Sequence, residues 1–168
     1  MDITEEIFKK CAMKVCGTTK ITYQGKEIDL GGEWKRITMI DAIKEACGVD
    51  FNEINTDEEA VALAKERKIE IPVGKEKRGN IISLFFDEYV EKTIVQPTFV
   101  YDYPVEISPL AKKSPKDPRL TERFEIFIDG REYGNAFSEL NDPIDQYERF
   151  KDEIAARENG DDEAGMMD

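Results

Sequence analysis

Three polar side chains stand out in the stretch that runs from Asp117 to Arg149: Glu132, Asn135 and Glu139. They crowd a segment whose turn and alternation otherwise predict a buried, sheet-forming hairpin. A buried carboxylate is costly unless it is paired, hydrogen-bonded or bound to a cation. If the hairpin is buried, these side chains therefore need such partners. The alternative is that these side chains face water on one side of an antiparallel sheet, which is common.

A β-hairpin that feeds a helix would position these side chains. Residues 122–128 alternate in polarity with the period of a strand. Asp129-Gly130 is a strong signal for a two-residue turn, because both central positions of a type I′ turn need a positive φ. Residues 131–140 then return antiparallel. Asp142 and Pro143 predict the N-cap and the first residue of an amphipathic helix that extends to Asn159.

The composition describes a polar, acidic and globular chain. Of its 168 residues, 40% are hydrophobic and 36% are charged, and the length suits one compact domain with or without a helical insertion. No apolar run approaches the length of a membrane span and no signal-peptide pattern opens the chain, so we expect a cytoplasmic location without a membrane partner. A net charge of −13 argues against a free-standing nucleic-acid-binding module, whose surface should be basic. The absence of histidine excludes imidazole-based catalytic triads.

Helical patterns fill much of the chain before the hairpin. Residues 2–16 predict a helix capped by Asp2 and followed by Gly17, and residues 20–30 predict a short hairpin around Gln24-Gly25. The first helix should bury one apolar stripe: Ile3, Ile7, Phe8, Cys11, Ala12 and Val15. Three further short helices are predicted at residues 39–47, 56–67 and 80–92. We therefore expect a helical insertion at residues 34–93, with residues 1–33 and 94–168 forming the sheet-containing core.

Several single residues carry weaker expectations. Cys11, Cys16 and Cys47 include no CxxC pair, so they should be small buried side chains rather than a disulfide framework or a zinc site. Trp34 should anchor packing. Lys75, Lys77 and Arg78 should lie in a solvated basic loop, although contact with phosphate is an alternative. Pro104 and Pro109 allow at most an edge strand at residues 105–108, and residues 161–168 should form a loose acidic end.

The longer motifs of this chain resemble those of bacterial-type class II lysyl-tRNA synthetases. The similar runs are TFVYDYPVEISPLAKK from Thr98, DPRLTERFEIFIDGRE from Asp117 and NAFSELNDPIDQ from Asn135, with weaker matches in GGEWKRITMIDAI and in the terminal GDDEAGMMD. The resemblance implies an α+β fold: part of the synthetase antiparallel sheet with flanking helices and a helical insertion, lying between motif 2 and motif 3. It also implies that the polar loop at residues 112–118 lies near the active site.

The resemblance assigns roles to five residues of the hairpin. Glu125 and Glu132 match the acidic pair that holds Mg²⁺ on ATP, and a hard divalent ion does prefer carboxylate and phosphate oxygens. Asn135, Phe137 and Glu139 match the strand that lines the lysine pocket, with Glu139 facing the ε-ammonium group of the substrate. A long cationic side chain needs an apolar wall and an anion at its end, which Phe137 and Glu139 would supply.

The geometry of the hairpin adds a constraint of its own. With a two-residue turn, Phe127 lies opposite Glu132 and Glu125 lies diagonally from it, so both carboxylates lie on one face, within reach of a shared ion. Glu132 and Asn135 are three residues apart, so a regular strand would place them on opposite faces. A bulge at the glycine between them would restore a common face. We therefore predict an irregularity at residues 133–135.

Two functional hypotheses follow. In the first, the chain is the segment of a lysine–tRNA ligase between motifs 2 and 3, with ATP, lysine and, in the full-length homodimer, tRNA(Lys) as partners. The family forms lysyl-adenylate and then transfers the lysyl group to tRNA. Because motifs 1, 2 and 3 are missing here, we expect the isolated chain to be inactive or nearly so. In the second, the chain is a non-catalytic, synthetase-like module that binds lysine or a protein partner.

Overall fold

The fold combines five helices with two small sheets in residues 1–158, which are the residues that the structure, a computed structural model, describes. The helices are α1 (Asp2–Cys16), α2 (Met39–Cys47), α3 (Asp57–Glu66), α4 (Arg78–Tyr89) and α5 (Pro143–Glu158). The strands are β1 (Lys20–Tyr23), β2 (Lys26–Asp29), β3 (Lys35–Thr38), β4 (Thr98–Tyr101), β5 (Arg123–Ile128) and β6 (Arg131–Phe137). Short 3₁₀ turns occupy Glu91–Thr93 and Val105–Ile107. This is the predicted α+β class.

The larger sheet has the order β3-β4-β5-β6, and β1 pairs with β2 in a separate hairpin. Strands β3 and β4 run parallel, whereas β4–β5 and β5–β6 are antiparallel. The β1–β2 turn follows the prediction, because Gln24 and Gly25 both have positive φ, 49° and 81°. Its Lys26 Nζ lies 2.5 Å from Asp129 Oδ1, so an ion pair joins the tips of the two hairpins.

Each face of the larger sheet is covered by a different apolar core. Helices α2, α3 and α4 pack on the face that carries Val100 and Phe127, and the rings of Phe86 and Phe127 lie 5.3 Å apart. Part of α1 and the β1–β2 hairpin pack on the opposite face. There the ring of Trp34, which is 2% exposed, lies 5.2 Å from the rings of both Phe8 and Phe99. The packing role predicted for Trp34 is confirmed.

Side-chain caps explain why α2 and α3 begin where the sequence predicts. The Thr38 hydroxyl accepts the Asp41 backbone N–H, and Gly48 ends α2 with a left-handed φ of 77°. Thr56 and Glu59 form a complete capping box at the start of α3. These local rules work here because all the partners lie within a few residues of one another.

The predicted helical insertion shares its core with the sheet. Side chains of α2, α3 and α4 lie in one cluster with sheet residues such as Val100 and Phe127. Strand β3 lies inside the stretch 34–93 but belongs to the larger sheet. The division of the chain into an insertion and a core remains a prediction. The first helix of the predicted insertion, α2, begins at Met39.

The predictions for α1 are right about its bounds and wrong about its surface. Its N-cap is Met1, without a side-chain hydrogen bond, and the Asp2 carboxylate pairs with Arg36 instead of capping the helix. Ile3 is 79% exposed and Val15 is 82% exposed. Ile7, Cys11 and Cys16 are exposed as well. Ala12 is buried in the apolar core around Trp34, and Phe8 packs against the same core. The helical period identifies an apolar side correctly, but within residues 1–158 most of that side has nothing packed on it.

Two arginines are buried, and for Arg78 this contradicts the solvated loop that the sequence predicts. Arg78 begins α4 instead of lying in a loop; it is 6% exposed and donates to the backbone oxygens of Phe51 and Ile54, each at 2.7 Å. On α5, Ile144 and Tyr147 are exposed, whereas Arg149 is buried. Arg149 Nη1 donates to the carbonyl of Ala111 at 2.7 Å. Both arginines are buried because carbonyl groups distant in sequence satisfy their donors.

Smaller differences occur at the edges of the predicted elements. The turn at Val105–Ile107 is a 3₁₀ helix rather than an edge strand. Asp142 Oδ1 accepts the backbone N–H of Ile144 at 2.9 Å, which confirms the predicted cap of α5. The predicted helix end at Asn159 and the acidic end at residues 161–168 lie outside the described residues. Within residues 1–158, every helix is too short or too polar to cross a bilayer.

Candidate functional site

The β5–β6 hairpin has the turn that its sequence predicts. Asp129 and Gly130 have φ angles of 52° and 68°, as a type I′ turn requires. Gly130 packs closely against the backbone of Lys92, since a Cβ at this position would lie 3.2 Å from the Lys92 Cα. The turn sets the register of the strands, so Phe127 lies opposite Glu132, as predicted.

The ladder then shifts by one residue. Ile126 lies opposite Gly134 and Phe127 lies opposite Glu132, so Tyr133 is the extra residue of a bulge in β6. The irregularity predicted at residues 133–135 is confirmed. Gly134 fits beside Ile126 because it has no side chain: a Cβ there would lie 3.0 Å from the Ile126 Cδ1.

The bulge brings four of the predicted site residues onto one face of the sheet. Asn135 lies directly opposite Glu125, and Glu132 lies opposite Phe127 on the same side. Phe137 follows on this face, opposite Arg123. The helices cover the part of this face near β4, and the part near β6 remains open, with Glu132, Asn135 and Phe137 exposed.

The two predicted metal-binding carboxylates have different surroundings. Glu125 is 7% exposed; its Oε1 accepts from Arg123 Nη2 at 2.5 Å and its Oε2 accepts from the Tyr103 hydroxyl at 2.8 Å. Burial raises the pKa of Glu125, while the bonds from Tyr103 and Arg123 oppose that rise. The Glu132 carboxylate is exposed. Across residues 1–158, no three Cys, Asp or Glu side chains lie close enough together to hold a metal ion.

The predicted lysine-pocket residues form an open surface instead of an enclosed cavity. Asn135 and Glu139 are exposed and Phe137 is 40% exposed. Glu139 lies just beyond β6, where it bridges to Ala111, and the flanking bonds from Lys112 N to Ser138 O and from Leu140 N to Leu110 O keep this segment extended. By alternation, Glu139 continues the row of Asn135 and Phe137. A cavity of about 500 Å³ lies elsewhere, between α4 and α5.

Sequence reasoning missed two residues at the centre of this face. Arg123 contacts both Glu125 and Asn135, and its guanidinium lies over the Tyr103 ring, 4.8 Å from the centroid. Tyr103 also donates to Glu125. The spacing of two between Arg123 and Glu125 was a usable signal, because residues two apart share a face of a strand. Nothing local indicates Tyr103, whose contact spans 22 positions of the chain.

Comparison with known proteins identifies the family. The sequence profile of the tRNA synthetases class II (D, K and N) matches residues 1–167. The chain belongs to this family of class II tRNA synthetases. The resemblance of its hairpin motifs to a class II synthetase is thereby confirmed.

Several relatives of this class II synthetase chain carry the name lysine–tRNA ligase. The protein from Thermoanaerobacter pseudethanolicus is 61% identical over 168 residues, which are 100% of this chain and 34% of that protein. Those from Lactococcus lactis subsp. cremoris and Staphylococcus epidermidis are 57% and 54% identical over the same shares of both chains. The chain thus spans about a third of the length of the curated relatives it matches.

Proposed function

We propose that this chain supplies part of the catalytic face of a lysine–tRNA ligase. The observation that carries the proposal is the bulge at Tyr133, which puts Glu125, Glu132 and Asn135 on one open face. The names of the relatives support lysine as the amino acid. The whole reaction would join the lysine carboxylate to the α-phosphate of ATP with release of pyrophosphate. The lysyl group would then pass from the adenylate to the terminal ribose of tRNA(Lys), with release of AMP.

The donor set on this face fits Mg²⁺ bound together with ATP. Glu125 and Glu132 would hold the ion through carboxylate oxygens, the ligands that Mg²⁺ prefers. Two carboxylates leave most of an octahedral shell to phosphate oxygens and water, which suits an ion that arrives with a nucleotide. When bound, the ion would neutralise phosphate charge during the displacement. Glu125 has one donor on each oxygen, which leaves acceptor capacity on both.

Lysine would lie along the neighbouring row of side chains. In this proposal the Phe137 ring provides an apolar wall for the methylene groups, and Glu139 accepts the ε-ammonium group. The exposure of both side chains agrees with a pocket whose remaining walls come from the two thirds of a ligase that this chain does not match. The net charge of −13 makes the chain alone a poor partner for tRNA. Binding of tRNA and homodimer formation are proposed for a full-length ligase, in the cytoplasm.

A transplant tests the proposal in an enzyme that has every other part. Residues 1–168 would replace the matched third of the Thermoanaerobacter pseudethanolicus relative, and lysine-dependent exchange of pyrophosphate into ATP would be measured. We expect exchange, with Glu139→Gln raising the KM for lysine about tenfold or more through loss of a charge-assisted hydrogen bond. The matched control is Glu148→Gln, an exposed change on α5. A folded transplant without exchange would contradict the proposal, as would a lysine KM that Glu139→Gln leaves unchanged.

One observation favours a second function, a non-catalytic module that binds lysine or a protein partner. The exposed apolar side of α1, with Ile3, Ile7 and Val15, is a surface suited to contact with another protein segment. The transplant separates the two functions. A module would bind lysine in calorimetric titration of the isolated chain and leave the exchange reaction of the transplant inactive.

A further inference from the structure

Arg123 is held on one side by the segment that follows β4. Its Nη1 donates to the Ile107 carbonyl at 2.7 Å and to Ser108 Oγ at 3.0 Å, and its guanidinium stacks over the Tyr103 ring. The side chain is 16% exposed. These contacts fix the plane of a group whose N–H directions are rigid, so the position of the remaining donors is also fixed.

The remaining donors of Arg123 reach two residues with different proposed roles. Nη2 donates to Glu125 Oε1 at 2.5 Å, and Nε donates to Asn135 Oδ1 at 3.2 Å. Glu125 belongs to the proposed magnesium side of the face and Asn135 to the proposed lysine side. One rigid group therefore orients a side chain in each of the two subsites.

The contact also decides which way the Asn135 amide points. Arginine has donors and no acceptor, so only the amide oxygen of Asn135 is able to face Arg123. The amide nitrogen of Asn135 is then turned away from the arginine and remains free to donate to an acceptor on a ligand. At Glu125 the same arginine, together with the Tyr103 hydroxyl, fixes the orientation of the carboxylate, because supporting hydrogen bonds orient metal-binding groups.

We propose that Arg123 is a positioning residue that couples the nucleotide–magnesium subsite to the lysine subsite. The inference rests on the proposed function, since the two subsites are defined there. Arg123 itself has its donors directed at protein groups, and it acts by holding Glu125 and Asn135 in one arrangement. Loss of its planar fork should weaken the use of magnesium and of lysine together, even when the positive charge is retained.

The kinetic test uses the transplanted ligase with Arg123→Lys. We expect the KM for lysine and the half-saturating Mg²⁺ concentration each to rise about tenfold, as befits one charge-assisted bond lost on each side. In a Glu125→Gln background, Arg123→Lys should shift the Mg²⁺ dependence no further, because Arg123 acts on magnesium only through the Glu125 carboxylate. The matched control is Arg119→Lys, since Arg119 pairs with Asp117 and contacts neither subsite residue. A variant that lowers only the melting temperature, or shifts only one of the two half-saturation values, would overturn the inference.

A second measurement on the 168-residue chain does not depend on catalysis. In ¹⁵N and ¹³C NMR spectra, Arg123→Lys should shift the side-chain amide signals of Asn135 and the carboxylate signal of Glu125, because both groups accept hydrogen bonds from Arg123. Arg119→Lys should do neither. Unchanged Asn135 and Glu125 signals would refute the positioning role, whereas a transplant without exchange would refute the proposed function on which the coupling depends.

Discussion

Glu125 lies opposite Asn135 in the β5–β6 ladder, although a regular strand with Glu132 on that face would turn Asn135 to the other side. The one-residue bulge at Tyr133 makes this pairing possible. Arg123 then bonds to both partners, so the strand register and the side-chain network select the same arrangement. The backbone register therefore determines which side chains share the face of the candidate site.

The first prediction concerns Glu132 as a magnesium ligand in the transplanted ligase. Glu132→Gln should raise the half-saturating Mg²⁺ concentration about tenfold, because an amide is a weaker ligand for a hard cation than a carboxylate. Pyrophosphate exchange at varied Mg²⁺ measures the effect. Glu122→Gln, an exposed change just before β5, is the control and should leave the Mg²⁺ dependence unaltered. Equal Mg²⁺ curves for the two variants would exclude Glu132 from the proposed role.

The second prediction concerns the buried guanidinium of Arg78. Arg78→Met should lower the free energy of unfolding by about 2–3 kcal/mol, because the carbonyls of Phe51 and Ile54 lose their charged donor. Urea denaturation of the chain followed by circular dichroism measures the loss. Arg67→Met changes an exposed arginine at the end of α3 and should cost less than about 0.5 kcal/mol. An Arg78→Met chain as stable as the wild type would show that the contacts of Arg78 with the Phe51 and Ile54 carbonyls do not stabilise the fold.

The third prediction concerns the pH dependence that Asp145 brings to stability. Arg149, and then Lys113, lower the pKa of Asp145 below its ordinary value of 3.8 through hydrogen bonds and charge. A folded-state pKa below the unfolded one stabilises the fold above pH 3.8, and this contribution is lost as pH falls through the folded value. Asp145→Asn should cost about 2 kcal/mol at pH 7 and flatten the acid limb of the stability curve.

Urea unfolding at a series of pH values from 7 down to the acid transition tests this expectation for Asp145. The control is Asp152→Asn on the same helix, whose side chain is 73% exposed. Parallel stability curves for the wild type and Asp145→Asn would show that the Arg149 pair contributes no pH dependence.

The fourth prediction concerns the capping box of α3. Thr56→Ala removes the acceptor for the Glu59 backbone N–H and should destabilise the chain by about 1 kcal/mol. Glu58→Gln changes the same helical turn without touching the cap and should cost less than half as much. Chemical denaturation measures the free energy of unfolding of both variants. A Thr56→Ala chain as stable as the wild type would show that the cap does not stabilise this helix.

The elements that the sequence predicts well depend on short-range chemistry. The turn at Asp129-Gly130, the cap at Thr56 and the bulge before Asn135 follow from backbone angles, neighbouring side chains and strand parity. The bulge was predictable only under the hypothesis that Glu132 and Asn135 share a face. The family resemblance supplied that hypothesis, and the structure confirms the irregularity.

The rest depends on contacts between distant parts of the chain. Periodicity marks Ile3 and Val15 as an apolar side of α1, but it carries no information about whether a covering segment is present. Arg78 is buried because carbonyls 24 and 27 positions away accept its donors. Tyr103 and Arg123 meet at Glu125 only after β4 and β5 have paired. Such partners are properties of the tertiary fold, and no local pattern encodes them.

Because Tyr133 has no partner in the ladder, the arrangement of this hairpin depends on the number of residues in β6. The extra residue shifts the ladder through its backbone, so the parity of β6 does not depend on the Tyr133 side chain, which forms a hydrogen bond with Tyr23. Loss or gain of one residue between the turn and Asn135 would exchange inside for outside in everything that follows on β6. The face that each later β6 residue occupies thus depends on the number of residues in the hairpin rather than on the identity of residue 133.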